Sequence, residues 1–237
     1  GIYNLLNEGV SDFKDFKIKN EYSHYQYFKT SKPSQTKLSS YFEIEKEIVK
    51  TFAKYLNIKT KEVQKNKQNT CLACKGQGSI EYALDIEANL HEACITCDGT
   101  GYKTEVLEYK VDNLNISQWL KLSFSDLFTK LEGMGSKTPQ KYVELKKWLT
   151  HFNLLHLHLD YNFKEIASGE RFKFSWIKTL PELQDNTLIF IDEPSKNLYY
   201  SDMDELLQSI NLINADILII EHCEYLTDSS TFKVNLD

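Results

Sequence analysis

Leu188-Ile189-Phe190-Ile191-Asp192-Glu193-Pro194 decides the fold: four consecutive apolar residues closed by two carboxylates and a proline, which has no N–H to continue a ladder. An uninterrupted run of this kind indicates a strand covered on both faces, as in a parallel α/β sheet. Ile217-Leu218-Ile219-Ile220 repeats the pattern and also ends in an acid, Glu221, followed by His222. Between the two, Ser201 is expected to cap a helix whose inner face is Met203, Leu206, Leu207, Ile210 and Ile213. Strand, helix, strand in that order is a parallel crossover unit. The fold class is therefore α/β, and its ligands are expected beyond the carboxyl ends of the strands.

Upstream, Ala167-Ser168-Gly169-Glu170 precedes the acidic strand, and Tyr142 to Phe152 has helical spacing. Asn115 to Leu131 reads as two short helices, the second capped by Ser123 or Ser125, and Gly133 to Pro139 as a loop. Tyr41 to Tyr55 carries Ile44, Ile48, Phe52 and Tyr55 at helical intervals, while Asp12 to Leu38 is polar, aromatic and poorly periodic. Ile2 to Glu8 has the pattern of a short helix stopped by Gly9 and opening without a cap, which implies that a preceding segment has been cut away or that Gly1 is an added residue. His156 and His158 alternate with leucines and read as structural.

Four of the five cysteines form two identical spacings, Cys71-Leu72-Ala73-Cys74 and Cys94-Ile95-Thr96-Cys97. Each can place two thiolates on one ion, and two such turns complete the tetrahedron that zinc prefers. Gly76 and Gly78 follow the first pair at the offsets of Gly99 and Gly101 after the second, so the backbone can turn tightly around the sulfurs. Two redox pairs or accidental thiols are the alternative; an odd cysteine count in close pairs suits a reduced, metal-binding chain better than a disulfide framework. Cys223, directly after the second apolar run, reads as a small core residue. The repeated Cys-x-x-Cys-x-Gly-x-Gly resembles the zinc region of the DnaJ-type chaperones, over residues 71–101 only and with fewer copies than that family usually carries.

A net charge of -6 counts against nonspecific nucleic-acid binding by the whole molecule. DNA contact would then fall to a local patch, and Lys54, Lys59, Lys61, Lys65, Lys67 and Lys75 crowd the approach to the cysteines. The same run is also what a solvated linker looks like. No apolar stretch approaches the length needed to cross a bilayer, and the first residues lack the sections of a secretory signal, so a soluble, cytoplasmic chain is expected.

In phosphate-loop ATPases an aspartate placed like Asp192 helps hold the magnesium of MgATP, and the adjoining glutamate polarises the attacking water. A strand ending in acids is also common for structural reasons alone. The pair Glu221-His222 ending the next strand, and Ser168-Gly169-Glu170 at the separation of an ABC signature, tilt the balance. Together these residues resemble the UvrA family, the damage-recognition ATPase of bacterial nucleotide excision repair, over nearly the whole chain. Tyr41 to Ala53 is similar to the helix before that family's zinc module, Cys71 to Tyr102 to the module, and Asn115-Ile116 to the start of the following helical section. Asn153 to Glu170 resembles the run into the signature, and Leu188 to His222 the acidic strand, linking loop and histidine.

The resemblance implies an ABC-type P-loop NTPase lobe with an inserted zinc-binding module and a helical signature subdomain. Residues 1–66 would be the first part of the lobe, 67–105 the zinc module, 106–178 the signature subdomain and 179–237 the rest of the lobe. It implies structural zinc on Cys71, Cys74, Cys94 and Cys97, and Mg-ATP in the complete protein. Asp192 would hold magnesium, Glu193 activate water and His222 contact the γ-phosphate, with Gln26 linking nucleotide and magnesium. Ser168, Gly169 and Glu170 would face the nucleotide of a second ABC half, in cis or in a homodimer. DNA and other excision-repair subunits follow as implied partners, and a membrane does not.

The departures from the family are specific. No Gly-x-x-x-x-Gly-Lys-Ser/Thr occurs in the 237 residues, so the backbone cradle and lysine for the β and γ phosphates are absent and weak or no ATP binding is expected of the isolated chain. The helix expected at Ile2 to Glu8 resembles the one that follows that loop in the family. Ala167 stands where the family signature has a serine, and Ser195 to Asp202 keeps the loop's leucine and later aspartate but not its usual glycine and histidine. These differences describe a divergent paralogue. A reading of a different class stays open beside it: a noncatalytic zinc-stabilised interaction module, either a degenerate ABC half or a chaperone-like binder.

Overall fold

The computed structural model describes residues 22–85, 88–134 and 139–229; the helix expected at Ile2 to Glu8 and most of the expected loop at 133–139 lie outside them. In chain order they form β1 (His24–Phe28), α1 (Leu38–Tyr41), α2 (Ile44–Tyr55), the hairpin β2 (Ser79–Asp85) and β3 (Ala88–Ala93), and α3 (Thr104–Leu107). There follow β4 (Lys110–Val111), β5 (Leu114–Asn115), α4 (Ile116–Trp119), α5 (Phe124–Gly133) and α6 (Gln140–His151). The chain ends in α7 (Ser168–Thr179), β6 (Thr187–Asp192), α8 (Tyr200–Ile210), β7 (Asp216–Ile220) and α9 (Glu224–Asp228). The protein is a mixed α/β chain that divides into two compact units.

The first unit comprises the described residues up to Gln35 together with 139–155 and 162–229. Its centre is a parallel sheet in the order β1-β6-β7. Ile189 and Ile191 on one face of β6, and Leu188 and Phe190 on the other, are all 5% exposed or less. Fully burying side chains of this size contributes about 1.5–3 kcal/mol each. At the end of β1, Phe28 meets the edges of Phe172 and Trp176 from α7 at centroid distances of 4.9 and 5.3 Å. The indole N–H of Trp176 donates to Ser209 Oγ of α8 at 2.9 Å, so its one polar atom is satisfied inside the core.

The strand expected at 217–220 is present, but its coverage differs from expectation: β7 is half-buried, with Asp216 and Ile220 exposed. In the described sheet it is an edge strand with β6 on one side. The helix between the strands starts two residues earlier than a Ser201 cap would require. Its N-cap is Tyr199, whose N–H donates to Asp202 Oδ2 at 3.2 Å, so the carboxylate inside the first turn does the capping. Met203, Leu206 and Ser209 form its buried face. Cys223 is not a core residue; it is half-exposed and stands at the N-cap of α9.

The second unit holds 36–134 of the described residues and the returning segment 156–161. The helix expected from Tyr41 is broken at Glu43, which sits in the left-handed region at φ 58, so α1 and α2 are separate. Ile44, Ile48, Val49 and Phe52 of α2 bury one face, and Phe52 meets Trp119 edge-on at 6.3 Å. Trp119 Nε1 donates to Val111 O at 3.1 Å, tying α4 to the β4–β5 turn. The second of the two short helices is capped by Ser123, which accepts from Asp126 N at 3.0 Å. The returning segment is bound by backbone, with Phe124 N donating to Leu157 O and Ser39 N to Leu159 O. His158, its ring Nδ1 2.8 Å from Lys121 O, belongs to the same seam.

Candidate metal centre and acidic strand edge

The two Cys-x-x-Cys turns close on each other with near twofold symmetry. Cys71 N donates to Gly101 O at 3.0 Å, and 23 residues on Cys94 N donates to Gly78 O at 2.8 Å. Within the turns, Gly76 N reaches Cys71 O as Gly99 N reaches Cys94 O, at 3.2 and 3.1 Å. Gly78 N donates to Cys74 Sγ at 3.3 Å and Gly101 N to Cys97 Sγ at 3.2 Å, bonds that favour thiolate over thiol. A Cβ on Gly78 would stand 2.4 Å from Gly99 O and one on Gly101 2.4 Å from Gly76 O, so glycine is what lets the turns meet.

All four sulfurs lie within 4.8 Å of one another and all four cysteines are buried. Sulfurs at about 2.3 Å from a tetrahedral zinc would stand about 3.8 Å apart. The observed Cys74–Cys97 and Cys71–Cys94 separations are 3.7 and 4.0 Å, so the donor set fits that ion. The cysteines are free of disulfides. Burial works against a charge on each sulfur. At Cys94, hydrogen bonds from the Cys97 and Thr96 backbone and from neighbouring thiols overcome it and bring the pKa down to about 7, whereas at Cys97 burial prevails and pushes it up to about 11.

Lys65 departs from the phosphate-binding reading given to the lysine cluster. Its ammonium donates to Gly76 O at 2.8 Å and stands 5.3 Å from the centre of the Tyr102 ring, so it is used inside the cysteine module. All six lysines, Lys54, Lys59, Lys61, Lys65, Lys67 and Lys75, are exposed.

In the first unit, the parallel register brings the carboxyl ends of β6 and β7 together, Asp192 pairing with Ile220. Asp192 is exposed and accepts from Tyr27 Oη at 3.3 Å. Burial first, and then the Asp192 charge, raise the Tyr27 phenol above its ordinary pKa. Glu193 is held in the left-handed region at φ 45, and its N–H donates to Ile220 O at 2.8 Å. Such a conformation in a non-glycine residue costs about 1–3 kcal/mol and aims the side chain off the strand direction. Its carboxylate meets the Lys196 ammonium, and its Oε1 lies 3.8 Å from His222 Nε2.

Sequence reasoning gave Glu221 no role, yet its carboxylate organises this edge. It accepts from Ser195 N and Oγ at 3.0 and 2.8 Å, from His222 N at 2.7 Å and from Cys223 N at 3.0 Å. Burial opposes the charge, but these bonds outweigh it and hold the carboxyl below its ordinary pKa.

Gln26 is not brought to this edge. It pairs in register with Ile189, three residues short of Asp192, and lines a cleft with Tyr27, Glu182, Gln184 and Thr187. Tyr27, one residue on and pointing to the other face, is the residue of β1 that reaches Asp192.

Ser168, Gly169 and Glu170 form the first turn of α7, with Ala167 as N-cap and its N–H bonded to Glu170 Oε2 at 3.2 Å. A Cβ on Gly169 would lie 3.1 Å from Asp202 Oδ2 and 3.2 Å from Asn197 O, so this turn packs against the loop that follows the acidic strand. One turn on, buried Lys173 pairs with Asp202 and Glu205 at 2.6 Å each. Lys173 was missed because its partners are about thirty residues away and follow no local period.

The chain has a parallel α/β unit with acids at its strand ends and a buried four-cysteine cluster, and it is similar to UvrA proteins. The chain is 29% identical over 175 residues to UvrABC system protein A of Helicobacter pylori, covering 72% of this chain and 18% of that protein. It is 25% identical over 177 residues to the UvrABC system protein A of Clostridium tetani, again 72% of this chain and 18% of the relative. The similarity is distant but consistent, and the chain spans about a fifth of the length of these relatives. The fold matches the crystal structure of UvrA2 from Deinococcus radiodurans with a TM-score of 0.72 and 19% identity, over 88% of this chain and 26% of that one. No family model matches the chain. Among the described residues, no helix is long and apolar enough to cross a membrane.

Proposed function

We propose that this chain is part of a UvrA-like ABC ATPase that couples nucleotide binding to DNA binding, in damage recognition for excision repair or in a divergent paralogue of it. The observation that carries the reading is the convergence of Asp192, Glu193 and His222 on one carboxyl edge, with Glu193 and His222 3.8 Å apart on neighbouring strand ends. In this reading Asp192 holds magnesium, Glu193 orients and deprotonates the attacking water, and His222 contacts the terminal phosphate. The phosphate grip comes from outside these 237 residues. Ser168, Gly169 and Glu170 face the nucleotide of a second ABC half, and the four cysteines hold a structural zinc. Exposed Lys54, Lys59, Lys61, Lys67 and Lys75 are the proposed DNA contacts, and other excision-repair subunits the proposed protein partners, in the cytoplasm. The four-part division at residues 66, 105 and 178 belongs to the same proposal.

A second reading, a noncatalytic zinc-stabilised interaction module, is favoured by two observations: Ala167 at the signature and the Lys196 ammonium resting on the Glu193 carboxylate. ATP binding and turnover by the product of the complete reading frame separate the two. The ATPase reading expects turnover that Glu193→Gln abolishes while nucleotide binding persists. A complete product that binds no nucleotide, with its zinc in place, leaves the second reading standing.

A further inference from the structure

We propose that Lys65 is the counter-cation of the four-cysteine centre, a positioning residue that sets how tightly the thiolates hold their metal. The inference rests on the zinc reading of the cluster. A divalent ion on four thiolates leaves two net negative charges in a buried place, and an uncompensated buried charge costs several kcal/mol. The backbone supplies two N–H dipoles, from Gly78 to Cys74 and from Gly101 to Cys97. Only a side chain can supply a full positive charge.

Lys65 is built for that task. Its ammonium is pinned where the two turns cross: 2.8 Å from Gly76 O, and 3.1 Å from where a Cβ on Gly101 would stand. Gly101 is the residue whose N–H binds Cys97 Sγ and whose carbonyl receives Cys71 N–H. The face of buried Tyr102 closes the other side at 5.3 Å, and its orphaned hydroxyl is the only such tyrosine oxygen among the described residues. Burial and the nearby Lys37 lower the ammonium's pKa, whereas Glu45 and the sulfurs of Cys74 and Cys97 favour its charge. Lys61 and Lys67, close by in sequence, are exposed as Lys65 is; what sets Lys65 apart is the bond its ammonium makes to Gly76 O.

The test is chelator competition for zinc on the intact chain, with cobalt substitution to report the coordination geometry. Lys65→Met is expected to weaken metal binding about 10- to 100-fold, the usual range for outer-shell partners, while the tetrahedral cobalt–thiolate spectrum persists. Lys65→Gln keeps a donor without the charge and is expected to behave like Lys65→Met; Lys65→Arg keeps the charge and is expected to stay near the parent, as is Lys67→Met. Parent-like affinity in folded Lys65→Met or Lys65→Gln overturns the proposal. Should Lys65→Met not fold, Lys65→Arg decides, and a loss as large as 10-fold there overturns it. A parent chain that binds no zinc at all instead removes the metal reading on which it stands.

Discussion

Lys173 Nζ lies 2.6 Å from Asp202 Oδ1, with the lysine side chain only 9% exposed. The contact joins the helix that begins at the Ser168-Gly169-Glu170 turn to the first turn of α8, the helix that follows the Asp192-Glu193 strand end. A second carboxylate, Glu205, completes a triad around the buried ammonium. Burial alone would lower the lysine's pKa; its bonds to Asp202 and Glu205 reverse that and raise it above the ordinary value.

Lys173→Met should therefore be costly, because it leaves two carboxylates facing each other with their cation gone. Breaking a buried pair from one side costs about 3–5 kcal/mol, and the partial water access of Asp202 and Glu205, 17% and 26% exposed, places the expectation near 3 kcal/mol. Urea denaturation followed by tryptophan fluorescence measures it, since Trp176 lies on the same helix. A loss below about 1 kcal/mol would mean the triad behaves as a surface ion pair.

The pH dependence of the strand edge should follow Glu221. Its folded pKa is depressed, so its contribution to stability is complete above the unfolded carboxylate value, about 4.3, and is lost as pH falls through the lower folded value. Glu221→Gln should be less stable than the parent at neutral pH, and the gap should close in acid. Denaturation midpoints of both proteins across that range test this, and a gap independent of pH would assign the loss to packing.

The strand ends and the cysteine centre were legible in the sequence because their signals are local. An uninterrupted apolar run marks a strand or a buried helix, though it overstated the covering of β7, and doubled Cys-x-x-Cys spacing suits metal geometry. What escaped depends on contacts between distant positions. Glu221 and Ser195 are 26 residues apart, and Tyr27 and Asp192 165 apart. Gln26 illustrates a further limit: a one-residue ambiguity in a strand exchanges the two faces, and here it separates Gln26 from the neighbouring tyrosine that meets Asp192. The helix cap at Tyr199 was misplaced for a related reason, since an acid in the first turn caps from inside and leaves the hydroxyl at Ser201 without that task.

Metal removal should unfold the cysteine module selectively. In small sites of this type metal binding supplies much of the folding free energy, about 10–16 kcal/mol in isolated zinc peptides. Elemental analysis is expected to find one zinc per chain. Chelation should then open residues 63–103 to protease, while the α/β unit, whose core is Ile189, Phe190 and Trp176, stays protected. Purified protein that holds no stoichiometric metal even after refolding with zinc under reducing conditions would rule the site out.

The glycines offer a prediction of opposite signs from one chemical change. At Gly101, φ is +75 and an added Cβ would stand 2.4 Å from Gly76 O and 2.9 Å from Gly76 C, backbone atoms of the facing turn that cannot swing aside. The left-handed conformation alone costs an alanine about 1–2 kcal/mol, and the clash adds to it by prying apart the two turns that carry the sulfurs. At Gly133, the last residue of α5, a Cβ meets nothing within 4 Å and the backbone is helical. There alanine restricts the unfolded chain and favours the helix, for an expected gain of about 0.4–1 kcal/mol. Gly101→Ala should lower zinc affinity and thermal stability together, while Gly133→Ala raises stability and leaves zinc affinity unchanged. Equal tolerance of alanine at both positions would show that the two cysteine turns do not meet as closely as described.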